Sequence, residues 1–178
     1  NLENVDLRNT SLVNATLVGT NLLNSKIINT DFSNANLDSA LMTKLTITDS
    51  KFVGTSLKST DFKNSVFTNT DFSNANLKQA TLSGSVFSNS NLQNTYLVGA
   101  DFSDTKIPLV NMENSILNFA NFKNSNLEGS NLKNTIIHKA VFHNANLENA
   151  TMIGSDNFQT NFNNTNLKNV DFGSSRLA

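Results

Sequence analysis

His138, His143 and Glu148 are the residues of this 178-residue chain whose types and spacing most invite chemistry. They follow one another at intervals of five, and two imidazoles with one carboxylate form a ligand set suited to a divalent transition metal. The same histidines stand among many Ser and Asp residues, so a Ser/His/Asp nucleophilic arrangement is a second candidate. Thiolate chemistry and Cys-ligated zinc are closed, because the chain has no Cys. No Gly-rich P-loop or dinucleotide motif is present to cradle a phosphate. Both surviving candidates depend on where the backbone puts side chains five residues apart.

Composition narrows the choice of backbone. Lys and Arg number 13 against 14 Asp and Glu, and the two halves of the chain are equally balanced. An evenly mixed, near-neutral surface argues against direct nucleic-acid binding and offers no polybasic membrane patch. No apolar run approaches the roughly 18–20 residues of a membrane span. Cysteine usage leaves the compartment open, with a cytoplasmic location as the expectation. Asn is the unusual residue, at 33 of 178. Such a chain is either disordered or an array in which Asn occupies fixed turn positions.

Placement decides for the array. Every fifth residue from Leu2 to Leu177 is Leu, Ile, Phe or Met in 35 of 36 cases, the exception being Asn157. Two residues before each stands Ala, Ser or Thr in 31 of 35 cases, with Val5, Leu45, Val110 and Val170 as exceptions. The residue between them is Asn or Asp in 19 of 36, and the position two after the apolar residue is Asn in 18 and Gly in 6 of 35. A helix would scatter a period of five around its axis, and an extended strand would flip it from face to face. The backbone must therefore turn once per five residues, at positions where Asn and Gly tolerate positive φ.

Longer repeats count the turns in a coil. The string TDFSNANL recurs from Thr30 to Thr70, FKNS from Phe62 to Phe122, and LVG from Leu17 to Leu97, all at multiples of 20 residues, although NLKN recurs at an interval of 35. Four pentapeptides per coil is the best reading. The unit resembles the pentapeptide repeat family, A(D/N)Lxx, over essentially the whole chain. The resemblance implies an all-β, right-handed quadrilateral β-helix, a single domain of residues 1–178. The uncapped strand edges at both ends are expected of a segment excised from a longer chain or of one that stacks on a copy of itself. Nine coils at ~4.8 Å would make a rod about 43 Å long. Stacking buries ladders of side chains that one repeat could not bury alone. The expected core includes Phe32, Leu37, Phe62, Phe67, Phe72, Leu77, Phe87, Phe102, Leu117, Phe122 and Phe142.

This backbone dissolves both chemical candidates. Equal phases of consecutive repeats fall on different sides, so His138, His143 and Glu148 point apart, and a filled solenoid has no cleft. No catalysis, metal or other cofactor is expected. Irregularities are expected as local bulges near Leu41 to Leu45 and near Pro108 to Val110, where Pro108 would remove a ladder donor. At Asn157 the reading leans to a one-residue slip that lets Phe158 fill the core, against a buried, hydrogen-bonded amide.

Binding remains, through a rigid surface. Tyr96, Ile116 and Ile136 are spaced by 20, in a phase normally held by Asn or Asp, and Val98, Phe119, His138 and Phe158 belong to the same side. They form the candidate patch for an unidentified protein partner, with ordinary packing on an exposed ladder as the plainer reading. The pair Val66 and Val86 reads as packing. Bare ends would permit end-to-end self-association. The resemblance also implies a competing role, since some family members mimic DNA and inhibit or protect DNA gyrase. Here the acidic columns are broken: Lys51 stands between Asp31 and Asp71.

Overall fold

The computed structural model describes residues 1–177, and its backbone returns to the same place every 20 residues. Parallel bridges such as Asp6↔Lys26, Ser11↔Asp31, Thr16↔Asn36 and Asn21↔Leu41 begin four ladders, one for each side of a quadrilateral β-helix. The side that starts at residues 6–9 is the most strand-like. Its β1 (Ile27–Ile28), β2 (Thr46–Thr48), β3 (Val66–Thr68) and β4 (Val86–Ser88) make a parallel sheet in the order β1-β2-β3-β4, with Ile47 opposite Phe67 and Phe67 opposite Phe87.

Each position of the pentapeptide has a physical task. The residue two after the central apolar one turns the corner with φ between 50° and 70° throughout, from Asn4 to Ser174. Asn and Gly dominate there because other side chains resist the left-handed region. Three backbone N–H groups per repeat bond to neighbouring coils, as in Lys26 N–H to Val5 O at 3.0 Å, Leu7 N–H to Lys26 O at 2.9 Å and Asn9 N–H to Ile28 O at 3.0 Å. A fourth closes the turn on its own repeat, as in Thr10 N–H to Leu7 O at 3.2 Å.

The fifth N–H, on the residue just after the central one, faces outward. Where the residue before the central one is Asn or Asp, its side chain accepts that proton: Ser33 N–H donates to Asp31 Oδ1 at 2.9 Å and Asp38 N–H to Asn36 Oδ1 at 3.0 Å. This local Asx cap is the reason for Asn and Asp in that phase.

The interior is filled by columns of like side chains, and no cavity opens among the described residues. Phe32, Phe52 and Phe72 stack at 4.9 Å between successive ring centroids, and Phe102, Phe122 and Phe142 do the same. Phe62, Phe67 and Phe87 fill the space beside the first stack, and Leu37, Leu77 and Leu117 line the aliphatic column; all are buried. The small residues also satisfy the polar interior. Thr55 Oγ1 donates to Phe32 O and Ser115 Oγ to Leu92 O, each at 2.8 Å. Carbonyls buried beside aromatic rings would otherwise lack a second partner.

Three expectations are corrected. Asn157 points inward and is 3% exposed, so the chain does not slip and Phe158 stays on the surface. Its Nδ2 donates to Ser155 Oγ at 3.0 Å and to Arg176 O at 3.1 Å, which offsets the desolvation of the amide. No bulge forms near Leu41 to Leu45 or near Pro108 to Val110: Leu45 O accepts from Val66 N–H at 2.8 Å and Val110 O from Asn131 N–H at 2.9 Å, both in register. The Leu45 N–H donates to Ser65 Oγ of the next coil at 3.0 Å, a bond that Thr30 and Thr95 also make, to Ser50 Oγ and Ser115 Oγ. Pro108 removes no ladder donor, because it occupies the phase whose N–H faces outward. It is suited to a turn in which Leu109 takes φ 56°, and the side changes from strand to turn there.

Candidate functional site

The side that starts at residues 16–19 carries the candidate patch, and its backbone is as regular as the rest. Asn76, Tyr96, Ile116, Ile136, Asp156 and Arg176 follow one another by parallel bridges. The outward column beside them runs Lys78, Val98, Asn118, His138 and Phe158, and the corner column runs Gln79, Gly99, Phe119, Lys139 and Gln159. The structure thus brings Tyr96, Val98, Ile116, Phe119, Ile136, His138 and Phe158 onto one side. Tyr96, Phe119, Ile136 and Phe158 are exposed, and Val98, Ile116 and His138 are half-buried.

Local stability does not account for this composition. Before the patch, Asn36 and Asn76 cap the N–H groups of Asp38 and Lys78 at 3.0 and 3.1 Å. Tyr96, Ile116 and Ile136 cannot provide that cap. Only His138 recovers one, its N–H donating to Asn118 Oδ1 of the preceding coil at 3.0 Å. Each lost neutral hydrogen bond forgoes about 0.5–1.5 kcal/mol. Phe119 adds a second conflict, since it is 58% exposed and holds φ 61°, a conformation that Asn or Gly adopts at less strain.

Cross-coil pairs order the patch rim. His138 Nε2 lies 2.9 Å from Asp156 Oδ2, and the Phe158 ring meets the imidazole edge-on at 5.8 Å. The His138 contact holds the Asp156 carboxyl below the usual carboxylate range, against partial desolvation. Lys139 Nζ stands 5.7 Å over the Phe119 ring, a cation–π geometry. At the polar end of the same side, Asp38 accepts from Ser56 Oγ at 2.6 Å and from Lys58 N–H at 2.9 Å. Burial pushes its carboxyl up, yet these bonds and the Lys58 ammonium together hold it below the ordinary value.

Sequence reading by phase missed Asp156, Asn118 and Lys139. For Asn118 and Lys139 the signal was the step of 20 to His138 and Phe119, and for Asp156 it was the diagonal step of 18, which also joins Asn21 to Glu3, Ser56 to Asp38, Asn131 to Glu113 and Asn166 to Glu148. The same step carries His138 to Asp156. His143 and Glu148 lie on the two following sides, so the imidazoles and the carboxylate are separated, and no metal-ligating cluster occurs among the described residues. No helix among them is long and apolar enough to cross a membrane.

Charge is unevenly sorted among the four sides. The patch side holds four cations, Lys58, Lys78, Lys139 and Arg176, against two carboxylates, Asp38 and Asp156, while the other three sides hold nine cations and twelve carboxylates. Both carboxylates of the patch side are paired, Asp38 with Lys58 and Asp156 with His138 and Arg176. Lys78 and Lys139 have no carboxylate within ion-pair distance among the described residues.

Comparison with known proteins agrees with the architecture. Residues 55–135 match the family described as a pentapeptide repeat region, and residues 1–38 match pentapeptide repeats (8 copies). A comparison with curated proteins gives no match. Among solved structures, HetL from the cyanobacterium Nostoc sp. strain PCC 7120, a protein involved in heterocyst differentiation regulation, aligns over 99% of this chain and 89% of its own at 21% identity, with a TM-score of 0.61. QnrB1, a plasmid-mediated fluoroquinolone resistance protein, aligns over 85% of this chain and 89% of its own at 17% identity, with a TM-score of 0.44. Rfr23 from the cyanobacterium Cyanothece 51142 aligns over 64% of each chain at 32% identity, with a TM-score of 0.31.

Proposed function

The chain belongs to the pentapeptide repeat family, and from that premise we propose that it is a non-catalytic interaction module that holds a protein partner against the side carrying Tyr96, Ile116 and Ile136. One observation carries the reading. Three consecutive coils place apolar side chains in the phase where Asn or Asp would cap a backbone N–H, and a fourth apolar residue, Phe119, occupies a left-handed corner exposed to water. Neither choice caps a backbone N–H or eases the left-handed corner, whereas an exposed cluster of Tyr, Ile and Phe is the composition of a contact surface. The rigid, stacked interior keeps that surface in one shape, so a partner would meet a preorganised patch.

Affinity capture with the intact chain tests the proposal, using Tyr96→Ser/Ile116→Ser as the control. The expected result is a partner retained by the parent and lost by the double variant, with the β-type circular dichroism and melting temperature unchanged. Equal retention by both proteins would overturn the assignment of the surface. Occupation of the DNA-binding groove of gyrase would instead require a continuous acidic face, and here Lys51 bridges to both Asp31 and Asp71 while Thr81 separates Asp61 from Asp101. A supercoiling assay with the purified chain is expected to show no inhibition; dose-dependent inhibition would reverse the order of the two readings.

A further inference from the structure

Among the described residues the apolar patch lies within the one side with an excess of cations, and its spacing is that of another kind of secondary structure. We infer that the occupant of this side is an amphipathic α-helix lying along the rod axis, with an apolar stripe over Tyr96, Ile116 and Ile136 and with Asp or Glu bordering the stripe near Lys78 and Lys139. The inference rests on the binding reading above and states the partner's chemistry.

Charge supplies the first argument. Lys78 stands one coil before Val98 in the same outward column, and Lys139 sits over the Phe119 ring at the corner. Neither has a carboxylate partner among the described residues, so each is available to a carboxylate that arrives with an apolar surface. Asp156, the carboxylate at the far end of the patch, lies 3.9 Å from the Arg176 guanidinium, which offsets its repulsion of such a partner. A basic partner would meet two lysines that have no carboxylate partner among the described residues.

Spacing supplies the second argument. Coils repeat about every 4.8 Å along the axis, close to the ~5.4 Å pitch of an α-helix, whereas same-face residues of an extended strand recur every ~6.8 Å. A helix parallel to the axis therefore sets one apolar residue against each of Tyr96, Ile116 and Ile136, and an extended peptide drifts out of step by the third. Backbone pairing is closed to an extended peptide on this side as well. The ladder groups of Tyr96, Ile116 and Ile136 are already bonded within the rod, as in Leu97 N–H to Ile116 O at 2.8 Å and Ile136 N–H to Ser115 O at 3.1 Å. The recognition mode is thus a helix face laid on a preformed surface.

A displayed library of random 16-residue peptides, selected on the intact chain, tests this. Enriched clones are expected to carry apolar residues at i, i+3 or i+4, and i+7, with Asp or Glu at the borders. Their affinity should fall at least tenfold for Tyr96→Ser/Ile116→Ser and at least tenfold for Lys78→Glu/Lys139→Glu, both checked for native circular dichroism. Clones that need Tyr96 and Ile116 but tolerate the lysine reversal would overturn the acidic helix and leave the binding surface standing. Clones indifferent to Tyr96 and Ile116 would overturn the surface itself. Enrichment of Pro-containing or aperiodic sequences, or no enrichment above background, would count against the helix.

Discussion

Two stretches of the same side, one before and one after Gln79, have nearly the same backbone and opposite surfaces. In the first, Asn36 and Asn76 cap outward N–H groups and Asp38 gathers Ser56 and Lys58; in the second, Tyr96, Ile116 and Ile136 cap nothing and Phe119 projects from a corner. The columns beneath them do not register the change: Leu37, Leu57, Leu77, Leu97 and Leu117 continue as one buried line. Inward and outward positions are thus separately adjustable. Most of the stability comes from what the coils bury, so the outward positions can vary at a smaller cost.

The severest way to break the comparison is to damage what both stretches share. Phe122→Ala removes a ring stacked at 4.9 Å on both Phe102 and Phe142 and should destabilise the chain by about 3–5 kcal/mol, read by denaturant unfolding. A loss of under 1 kcal/mol would mean that the columns are not the main source of stability. Asn76→Ile imposes the apolar pattern on the polar stretch by removing the cap on Lys78 N–H, and a loss of about 0.5–1.5 kcal/mol is expected. The reverse exchange, Ile116→Asn, restores a cap to the Asn118 N–H. It should raise stability by about 0.5–1 kcal/mol while weakening partner capture, and a variant that loses on both measures would break the contrast between the stretches. Phe119→Gly should likewise stabilise, by about 1 kcal/mol or less, through relief of the left-handed backbone.

Acidification is the mildest test and touches both stretches. Asp38 in one and Asp156 in the other are held below the ordinary carboxylate value, as are Asp31 and Glu148, and the Arg8 guanidinium hydrogen-bonded to Asp6 brings that carboxyl down to about 2. A depressed folded-state value means that each contribution is present above the unfolded-state value, near pH 4, and is lost as pH falls through the folded one. The melting temperature should therefore stay level from pH 7 to about pH 5 and decline gradually below pH 4. A decline beginning above pH 6 would contradict this carboxylate account.

The period, the four-sided coil and the inward columns were legible because burial leaves a mark in every repeat. Sterics at the small phase and positive φ at the corner act at each of these positions alike. Single departures were less legible. Asn157 offered two solutions, and three hydrogen bonds from its amide nitrogen, to Ser155 Oγ, Ser155 O and Arg176 O, favour the buried amide over displacement of the downstream ladder. Pro108 was misread because only the folded coil shows which N–H of the five faces water. The patch residues could be grouped by their spacing of 20, but Asp156 and Lys139 came into view only with the diagonal and corner contacts. Those contacts depend on side-chain direction, which a phase count does not contain.

The ladder bonds have a mechanical corollary. They run from coil to coil, along the rod, at 2.7–3.2 Å between donor and acceptor. A pull on the two ends therefore loads one coil's bonds at a time and peels the rod as a zipper opens, with no step in which many bonds resist in shear. Each released coil frees 20 residues, a gain of about 65 Å in extended length. Under tension such a rod would pay out in even, low-force steps while the coils not yet reached keep their shape.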